Sequence, residues 1–275
     1  MDEYKKVIQI GVLILLLLAV SLSLYYYLGY KKRHRSPAEE AAASVSIPAP
    51  TGEAAAGGGA EAMSLPSVSL AESDDLMRKI VPELSSHPRL AAWLRTTDII
   101  RKFVAAVDNI AEGQSPRSHV DFFTPAGAFK VRPADGRTYI SQAGFDRYNP
   151  VSDVFISLDA KACARFYRAV KPLVQEAYRD LGYPNEDFDN TLWRAIVELL
   201  GTPVVEGPIA VERKVSSYVM IDAVLEGLSP AQKHVLRMGS ENVQVIQAKL
   251  RDLASALGFP ENLLPRPRTH SARNS

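Results

Sequence analysis

The sequence predicts a mainly α protein in three parts: a single N-terminal transmembrane helix, a disordered linker, and a multi-helix globular domain with a small β-hairpin or sheet element. Three observations lead there. An uncharged apolar run extends from Val7 to Tyr30. A stretch dominated by Ala, Gly, Pro, Ser and Glu follows it. Beyond that stretch, apolar side chains recur at helical spacing between capping residues, with one Asp-Gly turn among them. The implied boundaries are 1–35 for the anchor and its flanks, 36–69 for the linker, 70–264 for the soluble domain and 265–275 for a disordered basic tail.

The anchor rests on length and flanks. About 24 residues rising 1.5 Å each give roughly 36 Å, which crosses a hydrocarbon core of about 30 Å with some tilt. Tyr25, Tyr26, Tyr27 and Tyr30 gather at the far end, where amphipathic rings favour the headgroup region, and Lys31, Lys32, Arg33 and Arg35 then stop the run. A cleaved signal peptide would end near Ala19-Val20-Ser21, but the apolar stretch continues well past that point. The basic cluster after the span favours a cytoplasmic domain over Lys5 and Lys6 before it. The spacer-like linker favours the opposite side.

The linker holds Pro48, Pro50 and Pro66 and the run Gly57-Gly58-Gly59, with too few large apolar residues to offset the entropy of ordering. A chain of about 34 such residues reaches roughly 30 to 35 Å root-mean-square. Its expected job is tethering.

Within the domain, Ser73 is placed to cap a helix over Asp74 to Val81, with Pro82 at its end. A second helix is expected from Thr97 to about Ala111, striped by Ile99, Ile100, Phe103, Val104, Val107 and Ile110. Phe129 to Val131 and Thr138 to Ile140 flank Asp135-Gly136, the signature of a tight hairpin turn that needs positive φ. A further extended stretch is expected from Pro208 to Val215. Asn149-Pro150 opens another helix, and Asp159 begins the longest, running to Leu181 before Gly182. Trp193, Ile196, Val197 and Leu200 mark the next, Ser229-Pro230-Ala231-Gln232 is a capping box, and Ser240 precedes a last helix carrying Val243, Ile246, Leu250, Leu253 and Leu257.

Chemistry is harder to find. The charges nearly cancel, 32 basic against 31 acidic, which gives nucleic acid no electrostatic footprint. The lone Cys163 excludes an internal disulfide and a cysteine-built zinc site, and its place on an apolar helix face between alanines makes it a packing residue. His34 and His270 fall in flexible ends, and His87, His119 and His234 have no acid or histidine at ligand spacing, so neither metal nor cofactor is expected. No nucleotide-binding glycine loop or serine elbow occurs. Two spots are candidates. Asp146, Arg147 and Tyr148, before a helix start, combine groups that contact an anion or a peptide carboxylate, against the plainer alternative of a structural turn. The acids of Asn185 to Asp189 could pair or hold calcium, but acids before a helix simply complement its dipole.

Three ordered segments then resemble a known family: Thr97 to Asn109, Tyr178 to Pro184 and Gln232 to Gly239. Following a membrane helix and a Pro/Ala-rich linker, they resemble DUF3014, an uncharacterised family of bacterial envelope proteins, over roughly residues 70 to 258. The resemblance implies a bacterial inner-membrane protein with a periplasmic domain, and brings no activity, cofactor or catalytic residue. The function expected is a membrane-tethered, non-enzymatic interaction or scaffolding module for an envelope protein or peptide. The alternative is an envelope hydrolase with an unfamiliar site.

Overall fold

The computed structural model describes residues 68–119, 125, 127–215 and 217–272. The expected anchor, its basic flank and nearly all of the linker lie outside them. Among the described residues no helix is long and apolar enough to cross a membrane.

The described chain is mainly helical. Helix α1 (Ser73–Ile80) leads to a short α2 (Pro88–Trp93), and then to α3 (Ile99–Ala111). The cap of α3 comes from elsewhere in the chain. Asp98 before it is left-handed (φ 55°) and makes no side-chain cap. Instead the Asp74 carboxylate accepts from Asp98 N at 2.8 Å and Ile99 N at 2.9 Å. An anion placed on two free N–H groups also meets the positive end of the helix dipole, so α1 is bound to the start of α3.

The hairpin follows as β1 (Val131–Ala134) and β2 (Arg137–Ile140), with Asp135 and Gly136 both at positive φ, as the turn requires. Two short helices, α4 (Gln142–Asp146) and α5 (Asn149–Ile156), precede the long α6 (Ala160–Asp180), capped by Asp159 on Ala162 N. Helix α7 (Phe188–Leu200) starts under the Asp187 cap. Three strands then come close together: β3 (Val204–Glu206), β4 (Ala210–Arg213) and β5 (Tyr218–Met220). Helices α8 (Ala223–Glu226), α9 (Pro230–Leu236) and α10 (Ser240–Leu257) complete the helical set, with the capping box at Ser229 and Gln232 formed as the sequence predicts.

Strands β1, β2, β4 and β5 form one antiparallel sheet in that order, with Thr138 opposite Val211 and Val211 opposite Met220. The outer edge of β5 is covered by side chains: Glu226 accepts from Met220 N at 2.8 Å, and Arg237 reaches Tyr218 O at 3.4 Å. A strand edge closed in this way offers no free ladder.

The tail departs from expectation. Residues 269–271 form β6 (Thr269–Ser271), parallel to β3, and His270 Nε2 lies 2.8 Å from Asp222 Oδ2. The side chain that caps α8 also holds the tail, so His270 has an acid partner 48 residues away that sequence spacing could not reveal.

Three large apolar clusters hold these pieces. Ile100, Val104, Val174, Tyr178 and Phe188 fill the space between α3, α6 and α7. Trp193, Ile196, Met238, Ile246 and Leu250 join α7 to α10. Ile140, Val211, Met220, Leu225 and Leu236 pack the sheet against α8 and α9. Tyr178 is fully buried, stacked on Tyr183 at 4.5 Å and edge-on to Phe188 at 5.2 Å.

A candidate anion-binding cleft

Two close backbone approaches position the loop that carries Arg147. Gly144 in α4 lies so near the chain entering β1 that a Cβ there would stand 2.5 Å from Lys130 O. Gly239 (φ +88°), between α9 and α10, sits against the Phe145 ring, where a Cβ would be 2.9 Å away. Glycine is required at both points, by space at the first and by space and backbone at the second. Helix α4 is thereby fixed between the hairpin and α9, and residues 147–148 turn toward a cleft.

The cleft has a volume of about 730 Å³ and draws on five segments. Arg117 comes from the turn after α3, and Phe129 from the approach to β1. Arg147 and Tyr148 come from the α4–α5 turn. Arg213, Ser217 and Tyr218 come from the end of β4 and the start of β5, and His234 and Arg237 from α9. No acid is among the described lining residues. The nearest acid in sequence to Arg213 is Glu212, which is engaged by Lys214. Among the described residues, none of the four guanidiniums has a carboxylate in ion-pair range.

Two of the cations, Arg147 and Arg237, are held by neutral groups, the latter by Tyr218 O. Arg147 lies over the Tyr148 ring with its guanidinium carbon 5.3 Å from the centroid, and it donates to Pro125 O at 3.4 Å. Its Nε is buried with no acceptor among the described residues. Tyr148 is itself buried, packed with Trp193 and Met238, so the platform under Arg147 is rigid. Phe129 and Tyr218 pack at 5.6 Å on the hairpin side. His234 meets the Tyr148 ring edge-on at 6.4 Å, with Nδ1 3.0 Å from Ser115 Oγ. Burial first, and the charges of Arg237 and Arg117 second, hold its imidazole below the ordinary range. It is therefore largely neutral at pH 7.

Of the three residues picked out in the sequence, the structure brings two to the cleft. Arg147 and Tyr148 line it, whereas Asp146 is exposed and accepts from Gln142 Nε2 at 2.8 Å. Residues 185–189 are placed elsewhere. Asp187 caps α7, and Asp189 takes both Lys171 and the Tyr167 hydroxyl. Burial and the Asp189 bond push the Tyr167 hydroxyl far above its ordinary range. Cys163 is half-buried on α6, its thiol pushed up to about 11 by burial and then by Asp159, so it is a poor nucleophile. Among the described residues no group of three or more His, Cys, Asp or Glu is placed to hold a metal.

Chemically, four forks of N–H donors with no described carboxylate in ion-pair range can take carboxylates or phosphates. Sequence reasoning missed Arg117, Arg213, His234 and Arg237. A signal existed for the last two, because both fall in the Gln232 to Gly239 segment that carries the family resemblance.

The chain belongs to the DUF3014 family, described as proteins of unknown function, whose family model matches residues 99–254, more than half of its length. The match takes in every cation of the cleft. No curated protein and no solved structure matches the chain.

Proposed function

We propose that this member of the DUF3014 family is a membrane-tethered, non-enzymatic interaction module of the bacterial envelope, which holds a partner protein by an acidic segment in the arginine cleft. One observation carries the proposal: four guanidiniums converge on a concave site, and no described carboxylate lies within ion-pair range of any of them. Charged groups left without partners around a cleft mark a place where an external ligand completes the electrostatics. Concavity favours a chain segment over a flat lipid surface, since Arg147 is half-buried and could not reach headgroups at a planar boundary.

The tether is the uncharged run from Val7 to Tyr30, and the side we propose for the domain is the periplasm, as the family resemblance implies. The basic cluster Lys31 to Arg35 pulls the other way. With Cys163 changed to Ser and a single cysteine placed at Ser67, an impermeant thiol reagent should label intact cells. Protection until lysis would move the domain to the cytoplasm.

Binding is tested with the full chain in neutral detergent and a labelled peptide rich in Glu. Saturable binding that weakens with salt, and is absent for a Lys-rich peptide of equal length, is expected. Equal affinity for both peptides would overturn the proposal. A hydrolase is the second reading, and the Ser115–His234 contact favours it. In that pair the serine sits on Nδ1, and no described acid bonds the other ring nitrogen to orient it as in a triad. Labelling of Ser115 by a fluorophosphonate would establish that reading instead.

A further inference from the structure

His234 stands out from the other cleft residues because its charge is not fixed. Its Nδ1 is occupied by Ser115 Oγ at 3.0 Å, and its ring is braced edge-on by Tyr148. The direction of that bond follows the tautomer: in the one that gives its Nδ1 hydrogen to Ser115 Oγ, Nε2 is the free base, and it has no partner among the described residues. The groups around it are known from each packed element. Helix α9 itself gives Arg237 and also Lys233, which is taken up by Glu226 at 2.8 Å. The turn after α3 gives Arg117, and the α4–α5 turn gives Arg147 and Tyr148. The sheet gives Arg213 and Tyr218. Helix α7 carries Glu198, whose carboxylate already accepts from Ser229 Oγ at 2.5 Å, and α10 carries the exposed Glu241 in its first turn. The charges that act on the ring are Arg237 and Arg117, both cationic.

We propose that anion capture in this cleft is proton-coupled: His234 takes a proton on Nε2 from solvent as an acidic ligand enters, and becomes a fifth cationic contact to it. This rests on the reading of the cleft as an acidic-segment site. The mechanism is linkage. In the empty cleft two guanidiniums oppose a charge on the ring. A bound carboxylate reverses the sign of that field and supplies an acceptor for the new N–H. Whatever raises proton affinity on ligand binding must, in return, raise ligand affinity on protonation. No covalent bond changes, and Ser115 acts only by fixing which nitrogen faces the ligand.

The test uses the full chain in neutral detergent and the same Glu-rich peptide, whose carboxylates stay ionised from pH 5.5 to pH 8, above their pKa of about 4.3. Affinity is expected to tighten severalfold from pH 8 to pH 5.5, because the ring binds its proton more tightly in the complex than in the empty cleft. Calorimetry in two buffers of different ionisation enthalpy should show net proton uptake near neutral pH, and the H234Q chain should bind with a flat profile and no uptake. The NMR titration of the His234 ring in the unaltered chain gives the same answer without a variant, by moving to higher pH when peptide is added. Binding that is independent of pH, or equally dependent on it in H234Q, overturns the proton coupling while leaving the acidic-segment reading standing. Absence of binding at every pH overturns both.

Discussion

Two charged regions of this domain are built from the same side chains and do opposite things with them. Around α6 and α7 every cation named has an acid: Arg101 with Asp180 at 2.6 Å, Arg194 with Glu112 at 3.3 Å, Lys171 with Asp187 and Asp189. In the cleft four guanidiniums line one concavity, and none has a described carboxylate in ion-pair range, although Glu226 attracts Arg237 from farther off. The net charge of +1 hides this, because balance over a chain says nothing about balance over a surface. Paired charges join elements, whereas unpaired ones clustered on a concave site are, on the reading proposed above, completed by a ligand. The two regions should therefore respond oppositely to mutation: the first in stability, the second in binding.

The largest effect is expected from reversing two cleft charges. Each charge-assisted contact contributes about 1.5–3 kcal/mol, so Arg147→Glu with Arg237→Glu should weaken acidic-peptide binding by about a hundredfold or more. Thermal stability should change little, because relief among the like charges offsets the loss of the Arg237 contact to Tyr218 O and of its attraction to Glu226. A large fall in the melting temperature would mean that these arginines are structural, and the contrast between the regions would collapse.

The mirror experiment is Phe188→Ala. Phe188 is fully buried at the start of α7 against Tyr178, and truncating such a ring costs about 3–5 kcal/mol of stability. Peptide affinity measured on the folded fraction should not move. A change in affinity would show that the cleft depends on the α6–α7 core more closely than its separate apolar clusters suggest.

How much of this was legible in the sequence depends on distance along the chain. The Asp135-Gly136 hairpin, the Asp159 and Ser229 caps and the long helix ending before Gly182 are local, and each lies within a residue or two of where the residues place it. The α3 cap was not readable, because its carboxylate comes from Asp74, more than twenty residues earlier. Strand β6 was misjudged for the same reason: Thr269 to Ser271 look like tail until β3 and Asp222 are beside them. The cleft shows the rule most clearly. Arg147 and Tyr148 could be picked out as adjacent residues before a helix, but their partners are spread from 117 to 237, and no spacing connects them.

A smaller effect tests the paired side. Asp74→Ala removes two hydrogen bonds from the start of α3 and an anion from the positive end of its dipole. The expected loss is about 1–2 kcal/mol in stability, read by denaturant unfolding, with no change in m or in peptide binding. The substitution by Asn should recover part of it, because an amide oxygen still accepts from one N–H while the charge is lost. Full recovery would assign the whole effect to hydrogen bonding and none to the dipole.

The smallest effect lies where the regions meet in a single titration. The His234 imidazole is held below its ordinary range in the folded domain, so the unfolded chain binds the proton more tightly than the native one. Stability is then fully present above the unfolded value of 6.5 and is lost as the pH falls below it. The loss should begin before the carboxylates protonate, between about pH 6.5 and pH 5. His234→Gln should remove that component and leave the acid unfolding of the ion-paired side unchanged, since His234 takes no part in the Arg101–Asp180 or Lys171–Asp187/Asp189 pairs. Saturating acidic peptide should remove it too, by giving the protonated ring an anion in place of two guanidiniums. If the variant unfolds over the same pH range as the unaltered chain, the acid sensitivity belongs to the carboxylates that join α6 to α7, and the cleft contributes nothing to it.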